Sequence, residues 1–153
     1  QRTLEQLLND KTVTRLNPPE SFGGAVELVA FSIPATTAKG GDTVTLIAFW
    51  RVLDPNQLGE RALVNYAPEA NLFLHAINSE GNLIAGSDRL HVPAWNWHSG
   101  DTFAQIHRVV LPKDARGTLR LTMWIYTLPD LTRLPYPDGD ADTVYLTSIQ
   151  VVP

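Results

Sequence analysis

Two tryptophans, Trp95 and Trp97, stand two positions apart in a stretch that also holds Asn96, His98 and Asp101, with Asp88 and Arg89 just upstream. In an extended segment residues two apart share a side, so both indoles would face one way and Asn96 and His98 the other. Flat exposed indoles stack on sugar rings, and Asp88, Asn96 and His98 would offer hydrogen bonds to hydroxyls. The chemistry suggested is carbohydrate recognition. The plainer alternative is that one or both rings cap a core, because a buried indole carries a large apolar area. Trp50 and Trp124 lie inside strand-like runs and read as packing residues.

Other groups suggest further chemistry. Asp138, Asp140 and Asp142 alternate with Gly139 and Ala141, like the front half of a calcium loop, and mark a weak candidate Ca²⁺ site. The bidentate Glu that would close such a loop is replaced by Val144-Tyr145, so an acidic solvated turn is the simpler expectation, with no cofactor. His75, His91, His98 and His107 have no pairwise spacing typical of metal ligands, and His75 and His107 fall within strand-like runs as structural residues. A hydrolytic triad can be composed from Ser87 or Ser99, His91 or His98, and Asp88 or Asp101. No Gly-x-Ser-x-Gly turn accompanies it, and a non-catalytic chain is expected.

The elements that would position these groups are short. Ala25–Ile33, Thr43–Val52, Asn71–Ile77, Leu83–Ala85, Thr102–Leu111, Thr118–Tyr126 and Thr143–Val152 read as strands, separated by Gly, Pro, Asn and Asp clusters. In the first run Val26, Leu28, Ala30 and Ser32 alternate with Glu27, Val29, Phe31 and Ile33. Leu119, Leu121, Met123 and Ile125 alternate most clearly. Asn78 to Asn82 predicts a hairpin turn, Asp54–Pro68 a long polar loop, and Leu90–Gly100 an irregular aromatic one. Leu4, Leu7 and Leu8 suggest a short helix or loose arm over residues 1–21, broken at Asn17-Pro18-Pro19, with the domain proper at 22–153. The expected fold is all-β: an immunoglobulin-like or jelly-roll antiparallel sandwich of seven to eight strands.

Composition narrows the partners. The 153 residues suffice for one self-sufficient core, and the chain has no cysteine. Twelve Lys and Arg against 16 Asp and Glu give a net charge of −4 with no basic cluster, which excludes a phosphate-backbone footprint and hence nucleic acid. No apolar run approaches the length of a membrane span. Gln1 in place of Met is what a processed or excised chain would show, so a membrane link is expected only through a region outside this chain.

Gly41-Asp42-Thr43-Val44-Thr45-Leu46 with Phe49-Trp50, Asn71-Leu72-Phe73-Leu74-His75, Asn78-Ser79-Glu80-Gly81, Trp97-His98-Ser99-Gly100-Asp101, Val110-Leu111-Pro112, Gly117-Thr118-Leu119-Arg120-Leu121, Trp124-Ile125-Tyr126 and Ile149-Gln150-Val151 follow one another along the chain. In this order, across Phe22 to Val152, they resemble the extracytoplasmic C-terminal β-sandwich domain of membrane glycosyltransferase-like proteins of Chloroflexus-like bacteria. The chain departs from that pattern at Gln105 and Thr127, where it usually carries Asp. The resemblance implies an accessory module outside the cytoplasm and no catalytic residue. A polysaccharide or protein partner is expected, with glycan recognition through the aromatic loop as the specific form. The rival expectation is a structural spacer or assembly domain pairing through its edge strands, and a hydrolase stands third.

Overall fold

Runs rich in β-branched and aromatic residues form strands here, and Gly, Pro and Asp end them. The computed structural model describes residues 4–58, 70–88, 97–127, 132–133 and 143–153. Among these residues the elements are α1 (Leu4–Leu8), β1 (Val13–Phe22), β2 (Val26–Ser32), β3 (Thr37–Lys39), β4 (Thr43–Val52), a 3-10 turn (Pro55–Leu58), β5 (Ala70–Ile77), β6 (Leu83–Asp88), β7 (Thr102–Val110), β8 (Gly117–Thr127), β9 (Thr132–Arg133) and β10 (Val144–Val152). No helix among the described residues is long and apolar enough to cross a membrane.

The strands form two sheets, β1-β2-β4-β7 and β3-β10-β8-β5-β6, with β9 paired to β8. The expected all-β sandwich is therefore what forms, but with ten strands among the described residues in place of seven to eight, because the edge strands β1, β3 and β9 are not among the runs expected to be strands. Its strand order is of the immunoglobulin type rather than a jelly roll: β2, β4 and β7 occupy the A, B and E places, and β5, β8 and β10 the C, F and G places. Pro34 accounts for the crossing between sheets. It lacks the amide that a ladder needs, so β2 stops at Ser32, and the chain re-enters as β3, parallel to β10 in the other sheet. Gln150 N donates to Thr36 O at 2.8 Å at the join.

Irregular pairing changes two readings. In β2 the register slips between Leu28 and Ala30, so Ala30 pairs with Phe49 and Phe31 with Ala48. The bulge inverts the expected alternation: Phe31 enters the inter-sheet core, while Val29 and Ala30 share the outer face with Phe49. At the N-terminus, α1 is confined to Leu4–Leu8, and the expected break at Asn17-Pro18-Pro19 lies inside strand β1. Paired register lapses between Arg15 and Glu20, and β1 sits at a sheet edge, where the missing proline amides cost no ladder bond. Leu8 of α1 covers Val29 and Phe49 on the outer face.

Between the sheets, Val44, Leu46, Ala48 and Trp50 of β4 meet Leu72, Leu74 and Ala76 of β5 and Leu119, Leu121, Met123 and Ile125 of β8. At one end an aromatic column continues this core. Phe22 lies 5.6 Å from Trp50, which stacks on Phe103 at 6.4 Å between ring centres.

At the other end, Gly40 passes so close to the 112–116 turn that a β-carbon would overlap the Lys113 carbonyl and the Arg116 guanidinium. The approach is fixed by Gly41 N donating to Pro112 O at 3.2 Å and Leu111 N donating to Asp42 O at 2.9 Å. Gly40→Ala is expected to destabilise by about 1–3 kcal/mol, the usual cost of forcing atoms into a packed site. Gly81→Ala meets no neighbour, but its φ of 84° is left-handed and should cost about 1 kcal/mol. Urea unfolding midpoints at unchanged slope would measure both. A neutral Gly40→Ala would contradict the contact.

Candidate functional site

The turn after Trp97 is built by local hydrogen bonds. His98 N donates to Asp101 Oδ2 at 2.8 Å, and Asp101 N donates to His98 O at 3.0 Å. Gly100 supplies the positive φ of 90° that this turn requires. Two further bonds tie the turn to the end of β4: Val52 N donates to Asp101 O at 2.7 Å and Gly100 N to Val52 O at 2.8 Å.

These bonds decide where Trp97 goes. Its indole is 3% exposed and stacks on Phe103 at 5.0 Å, extending the aromatic column of Phe22 and Trp50. Trp97 is therefore a core residue, and the expectation that it joins Trp95 in an exposed stacking platform is corrected. Spacing fixes the relative direction of two side chains but not which side faces water. Trp95, Asn96, Arg89 and His91 lie outside the described residues, and of Asp88 only the backbone at the end of β6 is described.

His98 is exposed, with Nδ1 3.6 Å from Asp101 Oδ2. An ion pair this open to solvent contributes little. Ser99 is exposed on the same turn, and no hydrogen bond among the described residues joins it to His98, so the Ser99–His98–Asp101 combination lacks the nucleophile–base contact of a triad. Asp138, Asp140 and Asp142 fall outside the described residues. Among the described residues no three His, Asp or Glu side chains are grouped to hold a metal ion. At the neighbouring 3-10 turn the Gln57 side chain and the Asn56 amide hold the Asp54 carboxyl below its ordinary range.

His75 and His107 are structural, for different reasons. His75 lies on the outer face against Phe73 at 4.4 Å and Trp124 at 5.6 Å, and a β-carbon on the facing Gly86 would come within 2.9 Å of its ring. Trp124 meets Phe73 edge-on at 4.2 Å, as befits a packing residue. His107 is fully buried on the inner face of β7, where Nε2 lies 2.7 Å from Gln105 Oε1. A carboxamide oxygen only accepts, so in this arrangement Nε2 carries the proton.

A place the sequence did not single out lies at the opposite end from Trp97. Register between β5 and β6 slips between Ala76 and Ile77, leaving Ile84 as an extra residue in β6. A cavity of about 370 Å³ opens there, with Leu83, Ile84, Pro112, Ala115 and Leu119 as its apolar lining and Asn78, Asp114 and Arg116 as its polar groups. Leu83 is 57% exposed. A second cavity, of about 340 Å³, follows the β2–β3 crossing between Pro34 and Thr45. Comparison with known protein families and with curated proteins finds no matching family model and no matching relative.

The buried positions are open to measurement. A variant keeping Trp97 as its sole tryptophan should show blue-shifted emission and slow acrylamide quenching, whereas emission as open as that of free indole would refute its burial. Gln105→Ala should destabilise by about 1–3 kcal/mol, because it strips a partner from a buried imidazole. Thermal unfolding would read the loss.

Proposed function

We propose that this chain is a non-catalytic accessory module that acts outside the cytoplasm and recognises a polypeptide partner along the edge of its sandwich. The observation that carries the reading is β6. Among the described residues it ends its sheet, carries no Lys or Pro and no charge from Leu83 to Ser87, and presents a largely exposed leucine. Edge strands are normally blunted by charge or proline because their outward amides and carbonyls invite another strand. A strand left without charge until its last residue, Asp88, suits a partner that supplies the missing ladder.

The extracytoplasmic setting rests on the sequence resemblance, and the non-catalytic reading on the absence of a Gly-x-Ser-x-Gly turn in the sequence and of a Ser99–His98 hydrogen bond among the described residues. Carbohydrate recognition by paired tryptophans has lost one of its two rings. The spacer or assembly reading uses the same edge with a second copy as the occupant, so the two readings differ in what pairs with β6.

Purified chain should be screened in parallel against a glycan array, a random-peptide display library and chromogenic ester, peptide and glycoside substrates. Enrichment of related apolar peptides with silent glycan and substrate panels is expected. Saturable glycan binding, or turnover of any substrate, would overturn the reading. So would concentration-dependent dimers with no peptide enriched, which would identify an assembly domain.

A further inference from the structure

Leu83 and Ile84 both line the cavity at the start of β6. Ile84, unopposed in the pairing to β5, packs against the core together with Ala85, whereas Leu83 pairs with Ile77 and lies largely exposed at the rim of the opening. Beyond the bulge, Ala85 to Asp88 regain regular pairing with β5, and alternate amides and carbonyls point away from the sheet.

The polar groups around the opening are uncommitted in a complementary way. Arg116 spends Nη1 on the carbonyls of Lys113, at 3.1 Å, and Ala115, at 2.6 Å, which anchors the guanidinium while Nε and Nη2 have no acceptor among the described residues. The Asp114 carboxylate has no ion-pair or hydrogen-bond partner among the described residues. Asn78 uses Oδ1 to accept from Glu80 N and Asn82 N, leaving its amide NH₂ group as a donor. An apolar recess with a few converging polar groups is the usual form of a ligand site, and this one adjoins a strand edge that no other strand pairs with among the described residues.

We propose that the cavity at the β6 bulge is the side-chain pocket of an extended-peptide site. The partner segment lies along Ala85–Asp88 as an added strand, places one leucine-sized or aromatic side chain between Leu83, Ile84 and Leu119, and sets an adjacent carboxylate against Arg116. A polypeptide is the ligand class that satisfies a row of backbone groups and a side-chain pocket together. The acidic neighbour follows from the free guanidinium nitrogens, which match a carboxylate in geometry and charge. This inference deepens the edge-recognition reading and rests on it.

The test uses the intact chain and blocked hexapeptides that carry leucine, phenylalanine or serine at one inward position with glutamate beside it. Amide NMR titration should shift Leu83–Asp88 and the 112–116 turn with the leucine and phenylalanine peptides and leave them unmoved with the serine peptide. Leu83→Asp should weaken binding by roughly tenfold or more, the scale expected for losing a buried anchor. Replacing glutamate by glutamine should weaken binding to the parent chain but not to Arg116→Gln. Leu83 and Arg116 are solvent-exposed, so unchanged spectra elsewhere would verify that the variants fold. Silence at β6 with all three peptides, or equal response to the serine peptide, would overturn the site. If display-selected peptides bind without moving β6, the interaction-module reading survives and the pocket does not. Spectra that change with protein concentration alone would assign the edge to a second copy and also overturn it.

Discussion

Everything in this molecule depends on two sheet faces meeting around Trp50. That ring is fully buried, with Phe22 on one side and Phe103 on the other. Burying an indole removes about 150–250 Å² from water, worth about 4–6 kcal/mol at the usual transfer coefficient. Its Nε1 finds no hydrogen-bond partner among the described residues, which costs about 1–3 kcal/mol. Burial wins, and the same balance explains why Trp97, whose Nε1 is likewise buried and without a partner among the described residues, continues the column through Phe103 instead of turning to solvent. A ring useful for gripping a ligand is more useful here for closing the core.

Strand β7 shows how little the pattern of a single strand decides. Its inner face carries Phe103, Gln105, His107 and Val109, and its outer face Thr102, Ala104, Ile106, Arg108 and Val110. Judged by polarity alone, the two faces are nearly interchangeable, and a slip of one residue would reverse them. Nine consecutive pairs with β4 prevent that slip, because they place Phe103 opposite Trp50 and Val109 opposite Val44. Gln105 and His107 are then carried inside, where the bond between them offsets part of the desolvation of both.

The sandwich was legible in the sequence because seven strand-like runs, punctuated by Gly and Pro, leave no other layer architecture to bury them. Pro34 was legible as a stop, though not as the crossing that makes the strand order immunoglobulin-like. The bulges were not legible. An extra residue in a strand is defined by its partner, so Val29 beside Leu28, or Ile84 beside Leu83, has no signature until β4 and β5 are in place. The prolines of β1 misled for a related reason: they break a central strand but are tolerated at an edge with lapsed pairing, and edge position is a property of the whole sheet. Trp95 and Trp97 stand out in the sequence by type, but their spacing carries no information about the column of rings that Trp97 joins.

An immunoglobulin-type sandwich has two kinds of surface from which recognition can be built: turns at its ends and strands at its margins. The turn at the Trp97 end is tightly committed, since its amides are spent on β4 and its aromatic ring lies inside. Its exposed side chains, His98 and Asp101, mainly hold each other and the turn. At the opposite end the 112–116 turn is held just as firmly by the Gly40–Gly41 approach, but it leaves Asp114 and part of Arg116 facing outward beside an apolar recess. The bulge in β6 has two consequences there. It interrupts the strand before the edge becomes long and flat, which limits indiscriminate pairing, and it leaves Ile84 unopposed beside the recess. In the proposed peptide site a margin shaped in this way would discriminate through its pocket while binding through its backbone, so that an edge with few charges need not be adhesive along its whole length.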